Sequence, residues 1–174
     1  MNKSALDLIR IIPDFPKPGI TFKDITPLLA DEEIFAQCCN EIAEAAKEVD
    51  YIAGIEARGF IFAAAVAVIS GKGFIPIRKS GKLPGDVISH SYDLEYGSAT
   101  LEIHAGLIPK NKKVLIVDDV LATGGTALAA VDLIARANLV PSALTFLLEI
   151  PQLGGKSRLL KAHPALQIRT ILAE

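Results

Sequence analysis

The stretch Val114-Leu115-Ile116-Val117-Asp118-Asp119-Val120-Leu121-Ala122-Thr123-Gly124-Gly125-Thr126 decides how the rest of the chain is read. Four continuous apolar residues, three of them β-branched, have the character of a strand buried on both faces. The run ends in two carboxylates, and a loop of small residues then opens a helix over Thr126–Arg136. In that register backbone N–H groups, the hydroxyls of Thr123 and Thr126 and a helix N-terminus face one point, which suits a phosphate. Gly124 and Gly125 let the backbone approach the anion with no side chain between. The loop carries no lysine, so it is not the phosphate loop G-x-x-x-x-G-K-[ST], and no G-x-G-x-x-G follows a strand. Readings as an ATPase or a dinucleotide-binding protein weaken accordingly.

The same alternation continues on both sides. Upstream, Asp31 caps a helix predicted over Glu32–Val49, whose apolar stripe includes Ile34, Cys38, Ile42, Ala46 and Val49. Tyr51–Ile55 reads as a buried strand, Gly59–Ser70 as a helix ended by Gly71, and Phe74–Ile77 as the next strand. Downstream, Asn138 suits a left-handed helix cap, Val140–Ile150 is a strand with Pro141 tolerated at its start, and Leu166–Leu172 is a last strand. Strands separated by helices predict an α/β fold with a central, mostly parallel sheet flanked by helices, and ligands in such folds bind at the carboxyl ends of strands.

Two stretches break this alternation. Pro13 to Leu29 holds Pro13, Pro16, Pro18, Gly19 and Pro27, too many breakers for a helix, so residues 1–30 are expected to drape over the body as irregular structure or a small flap. Lys79 to Gly85 is a Gly/Pro-punctuated loop. Ser89–Tyr96 and Ala99–His104 then form an antiparallel hairpin around Gly97-Ser98, giving a flexible loop and hairpin over residues 79–104.

With 174 residues the chain fits a single domain, 1–174. Eighteen basic and twenty acidic residues give a net charge of −2, which leaves no footprint for nucleic acid or an anionic membrane and points to small-molecule partners. Hydrophobic residues make up 51%, yet the fully apolar run Phe60–Ile69 falls well short of the ~20 residues that span a bilayer. The N-terminus shows no secretory signal, so the expected compartment is the cytoplasm. Cys38 and Cys39 are adjacent, a spacing that suits neither a disulfide nor a metal site. His90, His104 and His163 are scattered and read as structural or solvent-facing. The apolar content fits either a generous core or a subunit interface.

The acidic pair and the loop after it resemble the phosphoribosyl-pyrophosphate signature of type I phosphoribosyltransferases. Phe15-Pro16-Lys17-Pro18-Gly19-Ile20, Gly54-Ile55-Glu56-Ala57-Arg58-Gly59-Phe60, Arg78-Lys79-Ser80-Gly81-Lys82-Leu83-Pro84-Gly85 and Tyr92-Asp93-Leu94-Glu95-Tyr96-Gly97 narrow this to the adenine phosphoribosyltransferase family, over nearly the whole chain. The resemblance implies transfer of phosphoribose from phosphoribosyl pyrophosphate to adenine, giving AMP and pyrophosphate. It assigns Asp118 and Asp119 to the ribose 2- and 3-hydroxyls, and Ala122, Thr123, Gly124, Gly125 and Thr126 to the 5-phosphate. Arg58, Lys79 and Lys82 would meet the pyrophosphate, with the N–H groups of Ala57 and Gly59 and a cis peptide bond at Glu56–Ala57. Glu95 takes the catalytic role and Tyr96 helps close the loop. Phe22 would stack on adenine while backbone groups of Ile20 and Thr21 read its edge. Relatives often carry arginine where this chain has Lys23, and lysine lacks the planar fork of arginine. Mg2+ is implied as a substrate-bound ion with no direct protein ligand, and the family implies a homodimer. Two alternatives stand beside this reading: a phosphoribosyltransferase for another purine base, against which the Lys-Leu-Pro-Gly loop speaks, and a regulatory sensor of phosphoribosyl pyrophosphate, for whose DNA-binding module the chain has no room.

Overall fold

The computed structural model describes residues 4–93 and 97–172. Its elements run β1 (Arg10–Ile12), β2 (Phe22–Asp24), α1 (Thr26–Leu29), α2 (Glu32–Ala43), β3 (Tyr51–Ile55), α3 (Arg58–Ser70), β4 (Gly73–Lys79), β5 (Val87–Asp93), β6 (Ser98–His104), β7 (Lys113–Leu121), α4 (Gly125–Arg136), β8 (Val140–Glu149), α5 (Gly155–Ala162) and β9 (Gln167–Leu172). Among the described residues seven strands form one sheet in the order β5-β6-β4-β3-β7-β8-β9. The five from β4 to β9 are parallel, and the β5–β6 hairpin adds an antiparallel edge through Arg78↔Glu102 and Lys79↔Leu101.

Side chains alternate across the sheet and bury two cores. Ile52, Leu115 and Val117 pack with Cys38 and Ile42 of α2 and Phe62 and Val66 of α3. Ala53, Ile55, Val114 and Ile116 face Ala130, Leu133 and Ile134 of α4 on the other side. The expected flanked sheet is therefore present, and its continuous apolar strands follow from burial on both faces. Gly71 ends α3 at φ 65°, and Asn138 follows α4 at φ 59°.

Three departures from the sequence reading change the picture, beside shifts of one or two residues at other element ends. The predicted helix Glu32–Val49 stops at Ala43 and tightens into a 3-10 turn over Glu44–Ala46. Ala46 and Val49 are buried all the same, so the apolar period recorded burial and not helical hydrogen bonding. The proline-rich segment is more regular than its breakers suggested: β1 and β2 form an antiparallel ribbon, and Pro27 sits in the first turn of α1, where a missing N–H costs nothing. Finally, β7 does not end before the carboxylates but runs on to Leu121. It parts from β3 after Val117 and continues beside β8 as far as Leu121↔Glu149. Asp118 and Asp119 thus lie on a length of strand with a neighbour on one side only. No helix among the described residues is long and apolar enough to cross a membrane.

Candidate active site

The chain order reverses at β3, which has β4 on one side and β7 on the other. Carboxyl ends at such a switch point leave a crevice between diverging loops. A cleft of about 670 Å3 opens there, lined by Arg58, Lys79, Asp118, Asp119 and Ala122–Thr126. Residues that the sequence places more than sixty positions apart are brought to one wall.

The shape of the 122–126 loop, a candidate phosphate cradle, follows from local backbone chemistry. Gly124 occupies the N-cap of α4 at φ 76°, a left-handed conformation that glycine adopts freely, and it has no side chain to cap the helix. The first N–H groups of α4 are therefore open to a ligand at its positive end. Thr123 and Thr126 stand half-buried beside them. Behind the cradle, the glycine opening α5 supplies a contact that the motif did not reveal. A Cβ on Gly155 would lie 2.2 Å from the Ala122 carbonyl oxygen and 3.0 Å from the Gly124 nitrogen.

Asp119 is buried and Asp118 half-buried. The Asp119 N–H donates to Asp118 Oδ1 at 2.9 Å. Arg58 Nε lies 2.8 Å from Asp119 Oδ2, but without hydrogen-bond alignment, so that buried oxygen has no hydrogen-bond partner. Burial pushes the Asp118 carboxyl well above the ordinary carboxylate range, and the neighbouring Asp119 charge pushes it the same way. Burial also raises Asp119, opposed by the Arg58 guanidinium. A buried acidic pair with one oxygen lacking a hydrogen bond has room for further donors. A Cβ on Gly59 would stand 2.7 Å from the Val117 carbonyl oxygen and 2.8 Å from Asp118 Oδ1, so only glycine lets α3 start this close.

Arg58 links the cleft to the N-terminal flap. Its Nη1 donates to the Lys23 carbonyl at 3.2 Å, and its guanidinium carbon lies 4.9 Å from the centre of the Phe22 ring. Phe15 meets that ring edge-on at 5.1 Å. The Ile20 N–H donates to the Lys17 carbonyl and the Ile20 carbonyl accepts from Phe15, so this backbone already serves its own turn, while Thr21 is exposed. Ile20, Thr21 and Phe22 do not line the cleft itself.

The peptide bond Glu56–Ala57 is cis. Glu56 accepts from Nε and Nη2 of Arg78, each at 3.2 Å, and from the Lys79 N–H at 3.0 Å. Those bonds, with Arg78 and in part the Lys79 N–H, hold its carboxyl below the usual range despite some burial. Lys79 reaches the cleft, whereas Lys82 is exposed away from it and its carbonyl accepts from Arg78 Nη1 at 3.0 Å. Glu102, buried on β6, accepts from the Ser80 hydroxyl at 2.6 Å and the Gly81 N–H at 3.0 Å and so anchors the start of the loop. Sequence reading missed Glu102, for which a charged residue in an alternating strand gives no signal.

Glu95 and Tyr96 lie outside the described residues. The histidines are engaged elsewhere: His90 and His163 face the two oxygens of Asp132 at 3.5 and 3.2 Å, and His104 bonds the Pro84 carbonyl at 3.0 Å. Cys38 and Cys39 are free and buried, and burial raises each thiol to about 11.

A doubly wound sheet with an acidic pair and a lysine-free phosphate cradle at its switch point defines a class, the sugar-phosphate-binding transferases of phosphoribosyltransferase type. The family described as Phosphoribosyl transferase domain matches residues 24–149. An adenine phosphoribosyltransferase of Thermobifida fusca is 55% identical over 153 residues, covering 87% of each chain. A crystal structure of adenine phosphoribosyltransferase from Thermoanaerobacter pseudethanolicus superposes with a TM-score of 0.90 at 43% identity, covering 96% of both chains. The Saccharomyces cerevisiae enzyme, complexed with an imino-altritol bisphosphate and adenine, gives 0.86 at 37% identity over 97% of this chain and 98% of its own. The chain belongs to the adenine phosphoribosyltransferase family.

Proposed function

We propose that this protein transfers the 5-phosphoribosyl group of phosphoribosyl pyrophosphate to adenine, releasing AMP and pyrophosphate, as a cytoplasmic homodimer of one-domain chains. The observation that carries the reading is the contiguous placement of Asp118, Asp119 and the 122–126 cradle on one wall of the switch-point cleft. The carboxylates accept hydrogen bonds from the two ribose hydroxyls, and the open N–H groups of α4 with Thr123 and Thr126 take the 5-phosphate. Arg58 and Lys79 line the same cleft and would meet the charge that develops on the departing pyrophosphate. Lys82 belongs to the same loop and joins them only if that loop folds inward.

Mg2+, if it enters on substrate oxygens and water as it commonly does with phosphates, would supply positive charge beside the pyrophosphate group. No three His, Cys, Asp or Glu side chains among the described residues converge to hold a metal alone. Asp119 Oδ2, which faces Arg58 but accepts no hydrogen bond, and Asp118 would fit ribose hydroxyls or the water shell of such an ion. Adenine would stack on Phe22, with Thr21 as the free backbone reader and Ile20 beside it. Glu95 would stabilise the cation-like sugar or take the proton lost from adenine. The apolar face of α3, with Val68 83% and Ile69 49% exposed, supports a subunit contact.

The test is selectivity. Adenine presents a donor at position 6 and an acceptor at N1, and hypoxanthine presents the reverse. Each unpaired polar group costs ~1–3 kcal/mol, so kcat/KM for adenine should exceed that for hypoxanthine or guanine by orders of magnitude at saturating phosphoribosyl pyrophosphate. Comparable values would overturn the reading.

A further inference from the structure

Tyr92 has no part in the scheme above, yet it lines the cleft, and its phenol oxygen lies 3.1 Å from Thr126 Oγ1. Resting on the proposed function, we infer that Tyr92 is a positioning residue for the 5-phosphate: it fixes the direction in which the Thr126 hydroxyl donates and ties the root of the hairpin to phosphate occupancy.

The argument is one of hydrogen counting. A threonine hydroxyl has one hydrogen and two lone pairs, and it serves a phosphate only if that hydrogen points at the anion. A phenol is the more acidic hydroxyl, so in a bonded pair it takes the donor place. Tyr92 O–H then fills a lone pair of Thr126 and leaves the threonine hydrogen free for the phosphate. Three groups form a chain from phenol to hydroxyl to anion, and each bond polarises the next. Without the phenol nothing in the pair fixes the hydroxyl rotor, and its hydrogen is free to turn to other acceptors, water included.

Position makes the contact more than local. Tyr92 belongs to β5, which leads into the hairpin tip, and Thr126 is the second residue of α4. The Asp93 carbonyl oxygen and Arg158 Nη1 lie 3.8 and 3.5 Å from the place where a Cβ on Gly125 would sit. The root of the hairpin therefore rests on the first turn of the cradle. A phosphate that strengthens the Thr126 bond strengthens the hold on β5.

The test compares the full chain with Tyr92→Phe, which keeps the ring and removes only the hydroxyl. Titration calorimetry with ribose 5-phosphate should show about fivefold weaker binding in the variant, the size of one neutral hydrogen bond, while binding of inorganic pyrophosphate is unchanged. KM for phosphoribosyl pyrophosphate should rise with kcat nearly intact. The tyrosine ultraviolet difference signal on ribose 5-phosphate binding should lose the share that Tyr92 contributes. Thr126→Val guards against a general loosening, because adding Tyr92→Phe to it should cost nothing further. Wild-type affinity for ribose 5-phosphate in Tyr92→Phe, equal loss for both ligands, or additive losses in the double variant would overturn the inference alone. A wild-type chain that binds neither phosphoribosyl pyrophosphate nor ribose 5-phosphate would overturn the proposed function with it.

Discussion

Gly155 packs its backbone directly against Gly124: a Cβ on Gly124 would lie 2.8 Å from the Gly155 carbonyl oxygen, and one on Gly155 would strike the Ala122 carbonyl oxygen at 2.2 Å. The cradle is therefore backed by another stretch of backbone and cannot yield. Gly155→Ala should lower stability by about 1–3 kcal/mol, the usual cost of overpacking, and raise KM for phosphoribosyl pyrophosphate more than that for adenine. Urea unfolding and steady-state kinetics on the same preparation separate the two effects.

Asp118 carries its charge at a cost to the folded state. Its folded pKa is raised by burial and by Asp119, so above that pKa its charge opposes folding, and the penalty fades as pH falls through it. Asp118→Asn should raise the melting temperature of the ligand-free protein near neutral pH, by about 2–4 °C for each kcal/mol relieved. The gain should shrink in acid. Activity should fall by roughly 10- to 100-fold, since a hydrogen bond to a charged group is worth ~1.5–3 kcal/mol. A variant less stable than wild type at neutral pH would contradict this.

Asp24 shifts the opposite way. The Thr26 hydroxyl, the Thr26 N–H and then Arg10 hold its carboxyl down at about 2. A depressed folded pKa adds stability that is present above the unfolded value near 3.8 and is lost as pH falls toward 2. Asp24→Asn should thus be less stable than wild type at pH 5, with the two curves converging by pH 2. Curves that stay parallel through that window would exclude Asp24 as the source.

Glu102 holds the 80–85 loop by its first two residues. Glu102→Leu keeps the bulk of the side chain and offers no acceptor, so neither the Ser80 nor the Gly81 bond can persist. Hydrogen exchange at Gly81 should quicken about tenfold, as expected for loss of a bond worth ~1.4 kcal/mol, and KM for phosphoribosyl pyrophosphate should rise severalfold. Unchanged exchange would show that the loop is held by other contacts.

The dimer is tested at α3. Light scattering at micromolar concentration should report twice the mass of one chain, and Val68→Glu should shift that population toward monomer. A monomeric wild type would leave the exposed α3 face without this explanation.

Much of this architecture was legible in advance because burial leaves a period in the sequence. Val114–Val117 and Tyr51–Ile55 are apolar throughout, and both are central strands; Gly71 and Asn138 sit where left-handed backbone ends a helix. The cradle was legible because its chemistry is local, with donors, glycines and helix start in one unbroken run. Contacts between distant segments were not. Nothing near Gly155 announces Gly124 and nothing near Tyr92 announces Thr126; Arg58 reaches Asp119 because β3 and β7 are adjacent, and Phe22 and Lys23 because the β1–β2 ribbon lies against it. The continuation of β7 past Val117 was hidden because two carboxylates look like the end of a buried strand unless its partner β8 is known.

The place of β3 between β4 and β7 also governs how the protein is made. β3, α3 and β4 can assemble as soon as residue 79 has left the ribosome, but the second edge of β3 has no partner until residues 114–117 follow. At ~5–20 residues per second that interval is a few seconds. Throughout it an apolar strand carrying Ile52 and Ala53 offers a row of open amides and carbonyls, the template on which chains pair with one another. The strand order that creates the substrate crevice therefore also sets a window of aggregation risk during synthesis, and holdase chaperones that cover exposed strands would act on this nascent chain between those two points.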